Sequence, residues 1–146
     1  MKKSTLLISI FAFFQFIASC ANRPPEPISY VKQPSTGAET AVAKTLKIMI
    51  SAYNNHDIDR HLSCYAPDAK IETKFTDGVV SKDEFRQILE KNADLPPIQL
   101  KDIKFIELSP VKFQVDAILS DIKSSKISYE LVPLEGRWVI LKQRYK

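Results

Sequence analysis

Between residues 98 and 145 the sequence runs as four apolar and polar alternations, over 98–108, 111–122, 126–134 and 137–145. Only Pro110, the polar Lys123-Ser124-Ser125 and Glu135-Gly136 separate them, and each is a turn signal. Parallel neighbours would need a crossover of about a dozen residues or more, so runs this close in sequence must pair antiparallel. The second half of the chain is therefore predicted as an antiparallel meander. One face of it must be covered by whatever the first half supplies.

The first half reads as helical. Val42, Leu46, Met49 and Tyr53 recur at i, i+4, i+7 and i+11, while Lys44, Lys47 and Ser51 point elsewhere, which predicts an amphipathic helix over 39–53. Asn54 and Asn55 tolerate the left-handed conformation that stops a helix. Asp57 is then placed as the N-cap of a second, shorter helix that carries Ile58, Leu62 and Tyr65 on one face. Pro67 disfavours helical geometry at Ala66 and turns the chain. Ile71, Thr73 and Phe75 alternate with Lys70, Glu72 and Lys74, the period of a half-buried strand, and Asp77-Gly78 is a hairpin signal. Ser81 and Glu84 frame a capping box, with Val80 and Phe85 at the staple positions, so a third helix runs to about Asn92 before Leu95-Pro96-Pro97 closes it. Helices followed by a meander define the α+β class, with three N-terminal helices packed on one face of a curved antiparallel sheet.

The amino terminus carries an address. Lys2 and Lys3 precede an uncharged apolar run over 6–17 and small residues ahead of Cys20, the pattern of a secretory signal. The run falls short of the roughly 20 apolar residues that a spanning helix needs. Ile17-Ala18-Ser19-Cys20 resembles the lipobox of bacterial lipoproteins. That resemblance implies a signal peptide over 1–19, a lipid on Cys20 and a membrane anchor. Ala21 lacks the aspartate that retains many Gram-negative lipoproteins in the inner membrane, so the outer membrane, facing the periplasm, is the expected location in a Gram-negative cell. With two cysteines in the chain and Cys20 assigned to lipid, Cys64 has no disulfide partner. Without Lys2 and Lys3, 19 basic residues face 17 acidic ones, and no Lys/Arg run suggests nucleic acid. Residues 20–37 hold four of the nine prolines and few apolar groups, and read as a flexible tether to a single domain over 38–146.

Asn54-x-x-Asp57-x-Asp59, Tyr65-Ala66-Pro67-Asp68-Ala69, Gly78 before a capped helix and Gly136-x-Trp138 in the last strand together resemble the nuclear transport factor 2-like superfamily. This superfamily includes the SnoaL-like polyketide cyclases and the ketosteroid isomerases. The resemblance implies a cone, in which a curved sheet wraps the first helix around an internal pocket. It also supplies a catalytic test. The tyrosine of the isomerase oxyanion hole falls on Met49 and the proton-moving aspartate on Thr73, and neither replacement can do that chemistry. No catalytic residue and no cofactor are therefore expected.

The run 53–71 contains His56, His61 and Cys64, a composition that suits either a metal site or a polar helix turn. Structural zinc favours close-spaced ligand pairs at two places in the chain, and a second cluster is missing, so no metal ligand is assigned and a solvated or hydrogen-bonded turn is preferred. The pocket is expected to be lined by Met49, Tyr53, Tyr65, Thr73, Phe75, Phe113, Tyr129 and Trp138. Asp116 and Glu130 fall on the opposite strand phase unless a bulge reverses it. The expected function is binding of a small, largely apolar ligand without catalysis. The alternatives are a SnoaL-like lyase, cyclase or hydrolase, and a protein-interaction module. A homodimer is expected through an outer apolar face drawn from Ile118, Ile122, Val132, Val139 and Leu141.

Overall fold

The computed structural model describes residues 26–120 and 123–146. The expected signal segment, Cys20, the start of the expected tether and Ile122 lie outside the described residues.

Among the described residues, ten elements follow in chain order. A short strand β1 (Ile28–Tyr30) precedes helices α1 (Gly37–Asn54) and α2 (Ile58–Ser63). Strands β2 (Tyr65–Glu72) and β3 (Val79–Val80) lead to helix α3 (Lys82–Lys91). Strands β4 (Gln99–Ser109), β5 (Lys112–Ser120), β6 (Ser125–Leu134) and β7 (Arg137–Tyr145) complete the chain. They form one sheet in the order β1-β4-β5-β6-β7-β2-β3.

Helix α1 starts at a capping box: Thr36 Oγ1 accepts from the Glu39 amide at 3.1 Å, and the Glu39 carboxylate accepts from the Thr36 amide at 3.2 Å. Its apolar stripe of Val42, Leu46, Met49 and Ile50 is fully buried. Each such side chain contributes about 1.5–3 kcal/mol of burial free energy, which makes α1 the axis of the core. Asn54 and Asn55 do not stop the helix by left-handed geometry. His56 takes that conformation, with φ 57°, while the Asn54 side chain is drawn away to Ile98. The expected caps of α2 and α3 are present: Asp57 accepts from the Arg60 amide at 3.0 Å, and Ser81 and Glu84 form a reciprocal box.

The meander β4-β5-β6-β7 is antiparallel throughout, as its short connections require. Two edge pairings depart from the expected all-antiparallel sheet: β2 lies parallel to β7, and β1 parallel to β4. The strand expected over 70–75 begins earlier and ends at Glu72. Pro67 is accepted within β2 because β3 reaches only Ile71 and Glu72, leaving β2 an unpaired edge where the proline sits. Ile28 is buried in the core, so the domain begins inside the segment expected to be tether; Ile28 and Tyr30 supply the apolar surface that docks it on β4.

Three backbone features shape the sheet. Glu135 and Gly136 both have positive φ, 49° and 78°, the geometry of a two-residue hairpin turn between β6 and β7. Register shifts in β4 between Lys101 and Lys104, where Asp102 has φ 54°, increase the local twist. In β7, Glu130 faces Lys142 but Leu131 faces Ile140, so Leu141 is an extra residue and the strand reverses its alternation there. The sheet is thereby curved, and α1 lies on its inner side, against β7 and β4.

The outer face of the meander carries ion pairs. Asp116 pairs with Lys146 at 3.1 Å, and Glu130 with Lys112 at 2.9 Å and Lys142 at 3.6 Å. Ile118 sits opposite Lys126, and Val139 is buried. Val132 faces Val139 across β6 and β7.

Candidate functional site

A cavity of about 160 Å³ opens between the three helices and the inner face of the sheet. Helix α1 contributes Met49, Ile50 and Tyr53, α2 contributes His61, and α3 contributes Phe85 and Leu89. The sheet supplies Tyr65, Leu119, Ile127, Tyr129, Gln143 and Tyr145, while Thr73, Lys74, Phe75, Leu95 and Pro96 come from the loops at the rim. Phe75, 44 % exposed, and Pro96 mark the mouth.

Six of the eight residues expected in the pocket line it: Met49, Tyr53, Tyr65, Thr73, Phe75 and Tyr129. Phe113 and Trp138 do not. Their rings stack edge-on at 5.4 Å, and Phe113 lies six residues from the lining Leu119 along β5, about 20 Å at roughly 3.3 Å per residue. Alternation assigned them to the correct face but says nothing about height along the cone.

The sequence reading missed His61, Gln143 and Tyr145. Gln143 and Tyr145 enter because the Leu141 bulge reverses β7; continuing the phase of Trp138 and Ile140 would have pointed Lys142 and Arg144 inward. Of the two expected readings of this turn, solvated or hydrogen-bonded, His61 takes the second: it is 3 % exposed and bonded to the Met49 carbonyl. Its position one turn before Tyr65 on the apolar side of α2 was the available signal. Asp116 and Glu130 remain outside the cone, so the bulge that would have brought a carboxylate into the cavity does not occur in β5 or β6.

The polar groups of the cavity are held in order. The Tyr65 hydroxyl donates to Gln143 Oε1 at 2.7 Å and lies 3.2 Å from the Met49 sulfur, and Gln143 Nε2 donates to the Glu72 carbonyl at 2.9 Å. Thr73 Oγ1 accepts from the Phe75 amide at 3.1 Å and pairs with Thr76 Oγ1, which fixes the rim loop. His61 Nδ1 lies 2.9 Å from the Met49 carbonyl oxygen, and its ring sits 5.5–5.8 Å from those of Tyr53, Tyr65 and Phe85.

Burial dominates the electrostatics. It pushes the His61 imidazole down to about 4 from its ordinary 6.5, against the opposing hydrogen bond to Met49. It raises the Tyr53 phenol, holds Tyr65 and Tyr129 well above the usual range, and carries Tyr145 to about 12, with neighbouring tyrosines adding to the last three. The phenols thus stay protonated at neutral pH and the imidazole stays neutral. Among the described residues no carboxylate lines the cavity. Among the described residues no three His, Cys, Asp or Glu side chains converge as metal ligands. Cys64 is buried and free, its thiol pushed up by desolvation.

No family model matches the sequence, and no curated protein matches it significantly. Solved structures do match the fold. A nuclear transport factor 2-like protein of unknown function from Pseudomonas putida superposes with a TM-score of 0.67 at 14% identity, covering 77% of this chain and 87% of its own. A candidate scytalone dehydratase from Novosphingobium aromaticivorans gives 0.63 at 11% identity, over 75% of this chain and 84% of its own. A protein from Catenulispora acidiphila solved in complex with S-DNPA gives 0.60 at 14% identity, over 74% and 91%. The fold is the nuclear transport factor 2-like cone that the sequence resemblance implies.

Proposed function

We propose that this chain is a lipid-anchored envelope protein whose cone binds a small, largely apolar molecule of single-ring size without turning it over. The observation that carries the binding reading is the cavity itself, walled by aromatic and aliphatic side chains with a few oriented polar groups. Its volume sets the ligand size. Sites for drug-sized molecules span about 300–1,000 Å³, whereas an apolar cavity of about 150 Å³ accommodates benzene. A fused multi-ring ligand would not be enclosed by 160 Å³ and would extend through the mouth. The anchor rests on the order Lys2-Lys3, apolar run, Ala18-Ser19-Cys20 in the sequence.

The enzyme alternative draws support from one group, His61, and from the fold shared with a candidate dehydratase. A general base works best with a pKa near the operating pH. An imidazole held near 4 and lacking a carboxylate partner is a poor one, and phenols that stay protonated do not replace it. Orientation and binding are what these groups do well.

Native mass spectrometry of the protein purified from cells tests the reading. A bound mass in the range of a single-ring compound, lost on denaturation, is the expected result. A protein that carries nothing and takes up none of a panel of one-ring compounds would sink it.

A further inference from the structure

The cavity fixes more than a size. The Met49 carbonyl can only accept, so His61 Nδ1, 2.9 Å away, carries the proton and donates. A neutral imidazole has one such proton, which leaves Nε2 as a lone pair. Burial keeps the ring in this neutral form at physiological pH. Nε2 is itself buried, and among the described residues nothing donates to it. The three nearest rings do not relieve it: Phe85 has no donor, the Tyr65 hydroxyl is committed to Gln143, and the Tyr53 hydroxyl makes no hydrogen bond to Nε2. Buried acceptors are satisfied in nearly all native proteins, and an exception on a residue that lines a ligand-sized cavity calls for a donor from outside the chain.

Resting on the pocket reading above, we propose that His61 Nε2 is the recognition atom of the cavity and that the ligand is a neutral single-ring compound presenting one hydroxyl or N–H donor on an otherwise apolar body. Phenol is the simplest chemistry of this class. A carboxylate would set its own lone pairs against Nε2, and an ammonium would be buried with no carboxylate among the described lining residues to balance it. A hydrocarbon of the same size would fill the space but leave the acceptor stranded, the costly half of a broken hydrogen bond.

The test uses phenol and toluene, which match in size and differ in the donor. Calorimetric titration of the purified wild type and of His61→Leu gives four dissociation constants. The toluene-to-phenol ratio is expected to be at least about tenfold larger in the wild type than in the variant, the two proteins sharing every difference in ligand hydration. In the wild type, phenol is also expected to shift the His61 Nε2 nitrogen resonance, a readout that needs no variant if His61→Leu fails to fold. Equal ratios in the two proteins, or phenol binding that leaves that resonance unmoved, would overturn the donor assignment while leaving the pocket reading intact. If neither compound binds the wild type, both readings fall together.

Discussion

The Nδ1 of His61 and the carbonyl oxygen of Met49 lie 2.9 Å apart, tying α2 to α1 across twelve residues of chain. The ring is buried, and that burial, opposed by the hydrogen bond to Met49, makes the stability pH-dependent. The folded imidazole titrates near 4, below its ordinary 6.5. Between those values the unfolded chain takes up a proton that the folded one refuses. The stability is therefore fully present above about pH 6.5 and lost as pH falls to about 4, by on the order of 3 kcal/mol. Urea unfolding at pH 7 and at pH 4.5 measures it. His61→Leu is expected to flatten the curve through this window, and an unchanged slope in that variant would assign the effect to other groups.

The Tyr65 hydroxyl and Gln143 Oε1 meet at 2.7 Å, 78 residues apart in sequence, and pin β2 to β7 inside the cavity. Tyr65→Phe removes the donor and leaves a buried amide oxygen unsatisfied, at a cost of about 1–3 kcal/mol. Removing both partners with Tyr65→Phe and Gln143→Met is expected to recover part of that loss, because no stranded acceptor remains at that contact. A double variant as unstable as the sum of the single ones would show that the hydrogen bond itself contributes little.

Asn54 works as a clamp at the end of α1. Its Nδ2 donates to the Ile98 carbonyl at 2.9 Å, and its Oδ1 accepts from the Ile98 amide at 2.8 Å. The pair fixes the start of β4, next to Leu95 and Pro96 at the cavity mouth. Asn54→Ala loses both bonds, an expected loss of about 2 kcal/mol by thermal or chemical unfolding. Asn54→Asp keeps the acceptor but turns a carboxylate oxygen towards the Ile98 carbonyl, so it is expected to rescue little. Full stability in Asn54→Asp would mean that only the Ile98 amide bond matters.

Local chemistry was legible in the sequence, and long-range geometry was not. Asp57 and Ser81 announce their helices because a cap acts within three residues, and the meander follows from the shortness of its turns. The same reasoning failed wherever a distant neighbour decided the outcome. Pro67 reads as a stop, yet it lies in a strand because β3 is too short to reach it. Trp138 and Phe113 share the inward phase with Tyr129 but sit at the other end of the cone, since a period of two specifies the face and not the height. Leu141 looks like an ordinary member of an alternating strand, and only the pairing of Glu130 with Lys142 and of Leu131 with Ile140 reveals that it is a bulge. That one residue admits Gln143 and Tyr145 to the cavity and keeps Lys142 and Arg144 out. His61 escaped because its run reads as a polar helix turn, whereas its packing between α1 and three aromatic rings makes it a buried acceptor.

The strand β1 changes what the proposed lipid anchor does. With Ile28 paired to Leu100 and buried in the core, seven residues, 21–27, separate the proposed lipid on Cys20 from the folded body. Fully extended, at about 3.3–3.6 Å per residue, they reach no more than about 25 Å. With a lipid on Cys20, a tether that short would hold the domain against the bilayer surface, where a small apolar ligand partitioned into the membrane would meet the cone at close quarters. Cys20→Ser is expected to leave the domain folded, because Cys20 precedes β1, and to shift the protein from the membrane fraction to the soluble one. Fractionation together with incorporation of a labelled fatty acid checks both points. A Cys20→Ser protein that still sediments with membranes, or a wild type that takes up no fatty acid, would remove the anchor from the proposed function and leave the pocket to be judged alone.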